Sequence, residues 1–186
     1  GKGNHLVGFM RNGMDAYGID LRDECLKSAG QEFEINGCDI ESEVFPYKDN
    51  MFDFVFSKSV LEHVVNADNF MSQTYRVLKP GGTVLFMVPD WKSQQNFYWD
   101  DYTHVKAWTR KGLQDAMVIH GFDDVTCKYF LQLPFVWKYP SAKYLAWVIS
   151  LLPDSLKWKD SEEKNFRTWV RFSKEKMLIA VGKKIL

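Results

Sequence analysis

Two aspartates each follow a short apolar segment, and a pair of glycines stands at the beginning of the sequence. At the carboxyl end of a parallel strand, a carboxylate such as that of Asp20 can accept hydrogen bonds from both hydroxyls of a ribose. Asp39 can in the same way accept the exocyclic amine of an adenine, with Ile40 packed on the ring face. Gly1 and Gly3 let a ligand approach the backbone closely, because glycine has no Cβ. Together these residues predict a nucleoside-binding site.

Histidine suits proton transfer near neutral pH, because its ordinary pKa is about 6.5. His104 follows two aspartates, a tyrosine and a threonine, and we predict that it acts as a general base. The alternative is a structural histidine that bonds a carbonyl and holds its loop. His63 is a candidate to line the ligand pocket, with packing or helix capping as the alternative. His5 and His120 are predicted to be structural.

The four histidines and three cysteines lie far apart along the chain. They lack the close spacing of a metal-binding motif, so we predict no metal site. Cys25, Cys38 and Cys127 are odd in number and widely spaced, which disfavours a disulfide framework. A reducing, cytoplasmic setting is the simplest interpretation.

The composition is that of a globular protein without an excess of either charge. Of the 186 residues, 46% are hydrophobic and 26% are charged, with 24 basic and 24 acidic side chains. This much apolar surface excludes intrinsic disorder. The formal net charge of zero disfavours nucleic acid as a partner, because binding to the phosphate backbone uses an excess of basic residues. Since no segment has the length and apolar character needed to cross a bilayer, we expect a soluble protein.

Apolar runs alternate with helical periods, which is typical of βα units around a mostly parallel sheet. Strands are predicted over residues 16–20, 33–38, 52–57, 83–88, 122–131 and 177–183. Helices are predicted over residues 3–12, 22–29, 66–78 and 109–120. Thr109 is the predicted N-cap of the last helix and Gly121 its terminator. The strand over 52–57 is almost continuously apolar, so we expect it in the centre of the sheet and buried on both faces. Residues 79–82 are predicted to form a turn.

The predicted fold is a single α/β domain over residues 1–186. It has a Rossmann-like, mostly parallel sheet with helices on both faces and an antiparallel strand pair at the C-terminal end. Residues 134–172 hold four of the seven tryptophans and predict a helical cap inserted before the last strand. This cap could close an acceptor pocket, or its apolar helix over 141–152 could rest on a membrane or on another subunit; packing is the default interpretation. Membrane contact through 134–158 is less expected than packing, and a homodimer is a further alternative.

An ordered series of motifs resembles the class I S-adenosylmethionine-dependent methyltransferases. The motifs are Gly1-Lys2-Gly3, Gly18-Ile19-Asp20, Gly37-Cys38-Asp39-Ile40, Phe52-Asp53-Phe54-Val55-Phe56-Ser57, Leu61-Glu62-His63-Val64 and Arg76-Val77-Leu78-Lys79-Pro80-Gly81-Gly82. The resemblance covers residues 1 to about 130 and the last strand. It implies a seven-stranded sheet, with S-adenosylmethionine as the cofactor lying over the strand ends.

The resemblance also implies which residues bind the cofactor. They are Gly1, Gly3, Asp20, Leu21, Asp39, Ile40, Ser57 and His63. The glycines would lie near the methionine part, the first aspartate on the ribose, and the second aspartate with its isoleucine on the adenine. Ser57 matches the position whose backbone lines the sulfonium side. The Asp-x-Thr-His-Val stretch that contains His104 resembles family members that methylate hydroxyls of glycans or other small molecules, so we expect an acceptor of that kind.

One departure from the family concerns the strand that precedes the glycine motif. In the family this strand has the type apolar-apolar-Asp-x-Gly-Cys, whereas the present sequence begins at the last glycines. We therefore expect the first, central strand to be absent and its place to be filled by a partner chain or by rearranged strands. A non-catalytic interaction or dimerisation module is the alternative function. A nicotinamide dehydrogenase is disfavoured, because its fingerprint requires a third glycine where this sequence has Leu6.

Overall fold

The computed structural model describes residues 3–21, 34–157 and 166–185. The strands in these ranges are β1 (Tyr17–Asp20), β2 (Glu34–Gly37), β3 (Phe52–Lys58), β4 (Leu78–Pro89), β5 (Asp123–Phe130) and β6 (Met177–Lys183). The α-helices are α1 (Asn4–Met10), α2 (Ala67–Val77), α3 (Trp91–Gln94), α4 (Arg110–Ile119), α5 (Pro134–Lys138), α6 (Lys143–Ser150) and α7 (Phe166–Lys174). Short 3₁₀ helices cover Leu61–His63, Tyr98–Asp100, Pro140–Ala142 and Asp154–Leu156. Gly1, Cys25 and the helix predicted over 22–29 lie outside the described residues.

Four strands form the larger sheet, in the order β3-β4-β6-β5. β3 is parallel to β4, whereas β6 is antiparallel to both of its neighbours. The core lies on β4 and β6, where Val84, Phe86 and Ala180 are completely buried. Phe86 stands opposite Ala180 in the register, so a large side chain is matched with a small one across the two strands. The α/β fold class and the antiparallel strands at the C-terminal end are confirmed.

β1 and β2 form a separate two-stranded parallel sheet. Among the described residues, β1 pairs only with β2 and β3 pairs only with β4, so β1 and β3 each have one edge without a partner strand. The prediction that β3 is central and buried on both faces is therefore wrong for the described chain. Phe54 on this strand is 36% exposed, because no described strand covers its second edge.

Helix α1 contacts both sheets. The ring centroids of Phe9 and Phe56 on β3 are 5.5 Å apart, and those of His5 and Phe56 are 5.2 Å apart. On the other side, a Cβ added to Gly18 of β1 would lie 3.0 Å from Leu6 Cδ1. Glycine at this position therefore permits the helix to pack closely on the strand.

Two of the predicted helix signals have the expected geometry. Thr109 Oγ1 accepts a hydrogen bond from Gly112 N at 3.1 Å, which confirms the N-cap of α4. Gly121 has a φ of 88°, in the left-handed region expected of a helix terminator. Asn66 caps α2 in the same manner, by accepting a hydrogen bond from Asn69 N at 3.2 Å.

Residues 79–82 belong to β4, which corrects the prediction of a turn before a strand over 83–88. Gly81 has a φ of 79°, so the strand is irregular at this point. The stretch nevertheless continues the strand, because it pairs with the chain that follows β6. Gly81 N donates to Lys184 O at 2.7 Å, and Lys184 N donates to Gly82 O at 3.0 Å.

Three helices, α5 to α7, lie between β5 and β6, where the insertion was predicted. Within this segment, Asp154 is held to helix α7 by the 2.7 Å ion pair between Lys174 Nζ and Asp154 Oδ1. The segment is attached to the loop after β4 by Lys157, whose Nζ lies 3.3 Å from the ring centre of Phe97. In the part of the chain that the structure describes, no helix has the length and apolar character needed to span a membrane.

Candidate functional site

β1 and β2 run side by side and end together, which brings two predicted site residues to one edge. Asp20 is the last residue of β1 and stands opposite Gly37, the last residue of β2. Cys38 N donates to Asp20 O at 3.3 Å, and Asp39 is the next residue. Leu21 lies just beyond the strand and is 68% exposed. The structure therefore places Asp20 and Asp39 on neighbouring strand ends.

Asp39 stabilises the turn in which it stands. Its carboxylate oxygens accept hydrogen bonds from Ser42 Oγ at 2.6 Å and from Glu41 N at 3.0 Å. The hydrogen bond from Ser42, followed by that from Glu41, lowers the pKa of Asp39 below the ordinary carboxyl value. A carboxylate has further lone pairs, so the ionised side chain can still accept a hydrogen bond from a ligand. Ile40 packs against the edge of the hydrophobic core.

Gly3 precedes α1, and Ser57 lies on β3, against which α1 packs. Gly3 directly precedes α1 and has a φ of 75°, a left-handed conformation that glycine adopts readily. Ser57 is buried near the carboxyl end of β3, opposite Phe86 of β4. The contact between His5 and Phe56 places the first turn of α1 beside this part of β3.

A second group of side chains stands beyond β3 and β4. Glu62 and His63 belong to the 3₁₀ helix that follows β3, and His104 belongs to the loop that follows β4. The two imidazole ring centroids are 4.9 Å apart. One ring nitrogen from each histidine and one carboxylate oxygen of Glu62 lie within 4.8 Å of one another. The structure thus joins the two predicted histidines and adds an acid to them.

The hydrogen bonds of the two histidines define their tautomers. His104 Nδ1 lies 2.7 Å from Tyr98 O, and because a carbonyl only accepts, this nitrogen carries the proton. His63 Nδ1 lies 3.1 Å from Thr103 O, a carbonyl, and 2.9 Å from Thr103 Oγ1. Since the threonine hydroxyl donates to Asp101 Oδ1 at 2.6 Å, Nδ1 of His63 is also the donor. In the neutral form, each histidine therefore has a free lone pair on Nε2.

Glu62 is a buried acid with an incomplete set of partners. Its residue is 1% exposed, and Oε2 has no hydrogen-bond partner in the described part of the chain. Burial raises the pKa of Glu62 to about 7. Its Oε1 lies 3.9 Å from Nε2 of His63. Leaving a buried polar atom unpaired costs about 1–3 kcal/mol, so this arrangement requires a compensating role or ligand.

Backbone and side-chain hydrogen bonds fasten the loop of His104 to the 3₁₀ helix. Glu62 O accepts from Val105 N at 2.8 Å and from Lys106 N at 3.1 Å. Trp108 Nε1 donates to Leu61 O at 3.0 Å. These contacts hold the loop after β4 against the segment after β3, so the two histidines are positioned by paired elements rather than by one flexible loop.

Glu62 is the site residue that sequence reasoning missed. It stands between Leu61, which is fully buried, and Val64, which is 3% exposed, and this apolar setting is the signal that could have indicated a buried acid. His120, predicted to be structural, contacts its own helix. Its Nδ1 lies 2.7 Å from Ala116 O, one turn earlier in α4.

Comparison with known proteins finds similarity to methyltransferases. Residues 1–86 match a family model described as a methyltransferase domain. The chain is 28% identical over 110 residues to phosphoethanolamine N-methyltransferase 2 of Caenorhabditis elegans, over 55% of this chain and 25% of that protein. It is 37% identical over 69 residues to the ubiquinone/menaquinone biosynthesis C-methyltransferase UbiE of Haemophilus ducreyi, over 37% of this chain and 27% of that protein. The alignments thus span about a quarter of the length of these two relatives.

Solved structures have the same fold. A SAM-dependent methyltransferase from Archaeoglobus fulgidus is superposed with a TM-score of 0.67 at 18% identity, covering 98% of this chain and 82% of that chain. Phosphoethanolamine N-methyltransferase 2 of Haemonchus contortus, solved in complex with S-adenosyl-L-methionine, gives a TM-score of 0.65 at 17% identity, covering 100% of this chain and 47% of that chain. The chain therefore has the Rossmann-like fold of these enzymes. The match to the methyltransferase family model thus concerns residues 1–86, and the structural neighbours share the fold.

Proposed function

We propose that this chain is the cofactor-binding core of a SAM-dependent methyltransferase. The observation that carries the proposal is the placement of Asp20 and Asp39 on neighbouring strand ends in a chain with this fold. Asp20 accepts hydrogen bonds from the ribose hydroxyls, with Leu21 beside it. Asp39 accepts the adenine amine, and Ile40 packs against the adenine ring.

The methionine end of the cofactor is proposed to lie beside α1 and the end of β3, whereas the adenosine end lies at β1 and β2. Gly1 and Gly3 allow close approach of the cofactor to the backbone, and Ser57 lines the sulfonium side from the end of β3. His63 completes this wall, because it follows β3 and 35% of its side chain is exposed to solvent. The adenosine and methionine ends thus rest on different sheets.

A strand between β1 and β3 is proposed to complete the sheet. Two observations support it: β1 and β3 each have an unpaired edge among the described residues, and α1 packs on both strands. Hydrogen exchange provides the test. If a strand occupies this position, amides of residues 52–58 that do not bond to β4 exchange slowly; rapid exchange at all of them would contradict a completed sheet.

Methyl transfer requires an in-line approach of the acceptor atom to the methyl carbon. The lone pair of the acceptor forms the new bond while the carbon–sulfur bond breaks, and its electron pair stays on sulfur. S-adenosylmethionine, when bound, supplies the methyl group as a sulfonium. For a hydroxyl acceptor, the proton passes to Nε2 of His104, which is free because Nδ1 is bonded to Tyr98 O.

The proposed acceptor is a hydroxyl of a small molecule or glycan. We propose that the acceptor enters between the loop of His104 and the helical segment over 134–172, with the contact between Lys157 and Phe97 as the support for their proximity. We propose that this segment belongs to the same domain over residues 1–186 and acts as its cap. The membrane contact through 134–158 and the homodimer stay alternatives for the outer surface of the cap.

Isothermal titration with S-adenosylhomocysteine tests the cofactor site. We expect wild-type chain to bind, and Asp20→Asn to bind at least about tenfold more weakly, because a hydrogen bond to a charged group contributes about 1.5–3 kcal/mol. Asp53→Asn is the matched control. Asp53 also lies on a strand, but it is paired with Lys79 at 2.8 Å near the amino end of β3.

The titration also decides between the proposed enzyme and the non-catalytic alternative. Absence of heat from wild-type chain up to millimolar ligand would favour an interaction or dimerisation module. Equal weakening by Asp20→Asn and Asp53→Asn would remove the ribose assignment. Once an acceptor is found, His104→Gln is expected to retain cofactor binding and to lower turnover.

A further inference from the structure

We propose that Glu62, His63 and His104 bind a divalent transition-metal cation. This proposal deepens the methyl-transfer function proposed above and rests on it for the role of the site. Two imidazole nitrogens and one carboxylate oxygen lie within 4.8 Å of one another. This ligand set suits divalent zinc, iron, cobalt or manganese, whereas magnesium and calcium prefer oxygen ligands alone.

Both histidines are already in the tautomer that binding through Nε2 requires. In protein metal sites, a ligating histidine usually donates its second ring N–H to a carbonyl or carboxylate, which fixes the ring. Here Nδ1 of His104 bonds to Tyr98 O at 2.7 Å, and Nδ1 of His63 lies 3.1 Å from Thr103 O. The lone pairs on the two Nε2 atoms are therefore free to bind a cation.

Glu62 provides an independent observation. Its residue is 1% exposed, and in the described ranges Oε2 has no hydrogen-bond partner. Its Oε1 lies 3.9 Å from Nε2 of His63. The Ser59 side chain and the backbone N–H of Glu62 bond to the carboxylate, but Oε2 keeps no partner among the described residues, and an unpaired buried oxygen is unfavourable. A divalent cation between the three side chains would give that oxygen a partner.

The geometry is close to a bound state and reaches it by side-chain rotation. Ligand atoms about 2.0–2.2 Å from a tetrahedral zinc are about 3.3–3.6 Å apart. One nitrogen of each ring and one carboxylate oxygen are within 4.8 Å of one another, so each of these distances would have to shorten by at most about 1.5 Å. His63 is 35% exposed and has room to rotate. Asp101 Oδ2 lies 3.9 Å from Nε2 of His104, so this carboxylate, a water or the acceptor can take a fourth position.

Cation binding would change the proposed role of His104. Its Nε2 has one lone pair, so it cannot ligate a cation and accept a proton at the same time. A hydroxyl acceptor bound at the fourth position would instead lose its proton to solvent, because a bound cation lowers the pKa of a hydroxyl. His104 would then serve as a ligand in place of a base, and the cation would supply the acidification of the acceptor hydroxyl.

The test is a titration of the full chain, without a polyhistidine tag and stripped with EDTA, with zinc chloride. We expect one cation per chain and at least about tenfold weaker binding in each of Glu62→Gln, His63→Gln and His104→Gln. His120→Gln is the matched control, because His120 bonds Ala116 O in a different part of the fold. Cobalt(II) in place of zinc is expected to give ligand-field absorption that His104→Gln loses.

Each remaining outcome overturns the inference. These are no zinc binding by wild-type chain, unchanged affinity in the three ligand variants, or an equal loss in His120→Gln. Circular dichroism verifies that each variant is folded, and Glu62→Gln, which keeps the shape of the side chain, decides the question if the histidine variants unfold. A parallel titration with S-adenosylhomocysteine separates the two proposals. If the chain binds S-adenosylhomocysteine but not zinc, only the cation site is overturned. If it binds zinc but not S-adenosylhomocysteine, only the proposed function is overturned.

Discussion

Replacing Tyr98 with phenylalanine removes one hydroxyl from the loop that carries His104. Tyr98 is 1% exposed, and its hydroxyl donates to Lys106 O at 2.7 Å. A hydrogen bond of this kind contributes about 1 kcal/mol net, and an orphaned buried acceptor costs about 1–3 kcal/mol. Lys106 is half-buried, so water can reach its carbonyl, and the cost of the orphaned acceptor falls toward the lower end of that range. We expect Tyr98→Phe to lower the free energy of unfolding by about 1–2 kcal/mol.

Urea unfolding followed by tryptophan fluorescence measures this change. With a denaturant slope of about 2 kcal/mol per molar, the midpoint is expected to fall by about 0.5–1 M. Tyr102→Phe is the matched control, because Tyr102 lies in the same loop and is 93% exposed; its effect should stay within about 0.5 kcal/mol. Equal midpoints for the two variants would refute the reasoning that the buried hydroxyl holds the loop. Zinc affinity should change little in Tyr98→Phe, because His104 bonds the backbone carbonyl of Tyr98 rather than its hydroxyl.

Three further predictions concern stability. A Cβ at Gly82 would lie 2.8 Å from a backbone oxygen, so Gly82→Ala should destabilise by about 1–3 kcal/mol in thermal unfolding, whereas Gly8→Ala, with nothing within 4 Å, should stabilise by about 0.5–1 kcal/mol. Thr109→Ala removes the N-cap of α4 and should cost about 1 kcal/mol in urea unfolding. The hydrogen bond from Lys174 lowers the pKa of Asp154. Its contribution is present above the ordinary carboxyl pKa and is lost as the pH falls through the lower folded-state value, so Asp154→Asn should flatten the acid side of a stability–pH profile.

The features that the sequence predicted well depend on local rules. The N-cap at Thr109 and the terminator at Gly121 follow from hydrogen bonds and backbone angles within a few residues. The neighbouring positions of Asp20 and Asp39 follow from two short strands that end in the same register. The two helix signals can be predicted because their causes lie within the segment itself, whereas the shared edge of Asp20 and Asp39 follows from the general rule that parallel strands end at one edge of a sheet.

The features that were missed depend on pairing between distant segments. β3 has the apolar sequence of a central strand, but its burial depends on a neighbour that the described chain does not contain. The glycines at 81 and 82 continue β4 only because Lys184 pairs with them. Glu62 joins the histidines because the loop after β4 folds back onto the 3₁₀ helix, with Val105 and Lys106 donating to its carbonyl. None of these contacts has a local signature.

The two ends of the proposed site differ in how firmly the fold supports them. The acceptor end follows β3 and β4, and the latter is anchored by fully buried side chains such as Phe86. The adenosine end follows β1 and β2, two strands of four residues each, in which no side chain is fully buried. Short, half-buried strands open more readily than a buried core. A variant can therefore lose cofactor binding through the opening of β1 and β2, without any contact to the cofactor. For this reason, weaker binding by Asp20→Asn supports a ribose contact only if hydrogen exchange of these strands is unchanged.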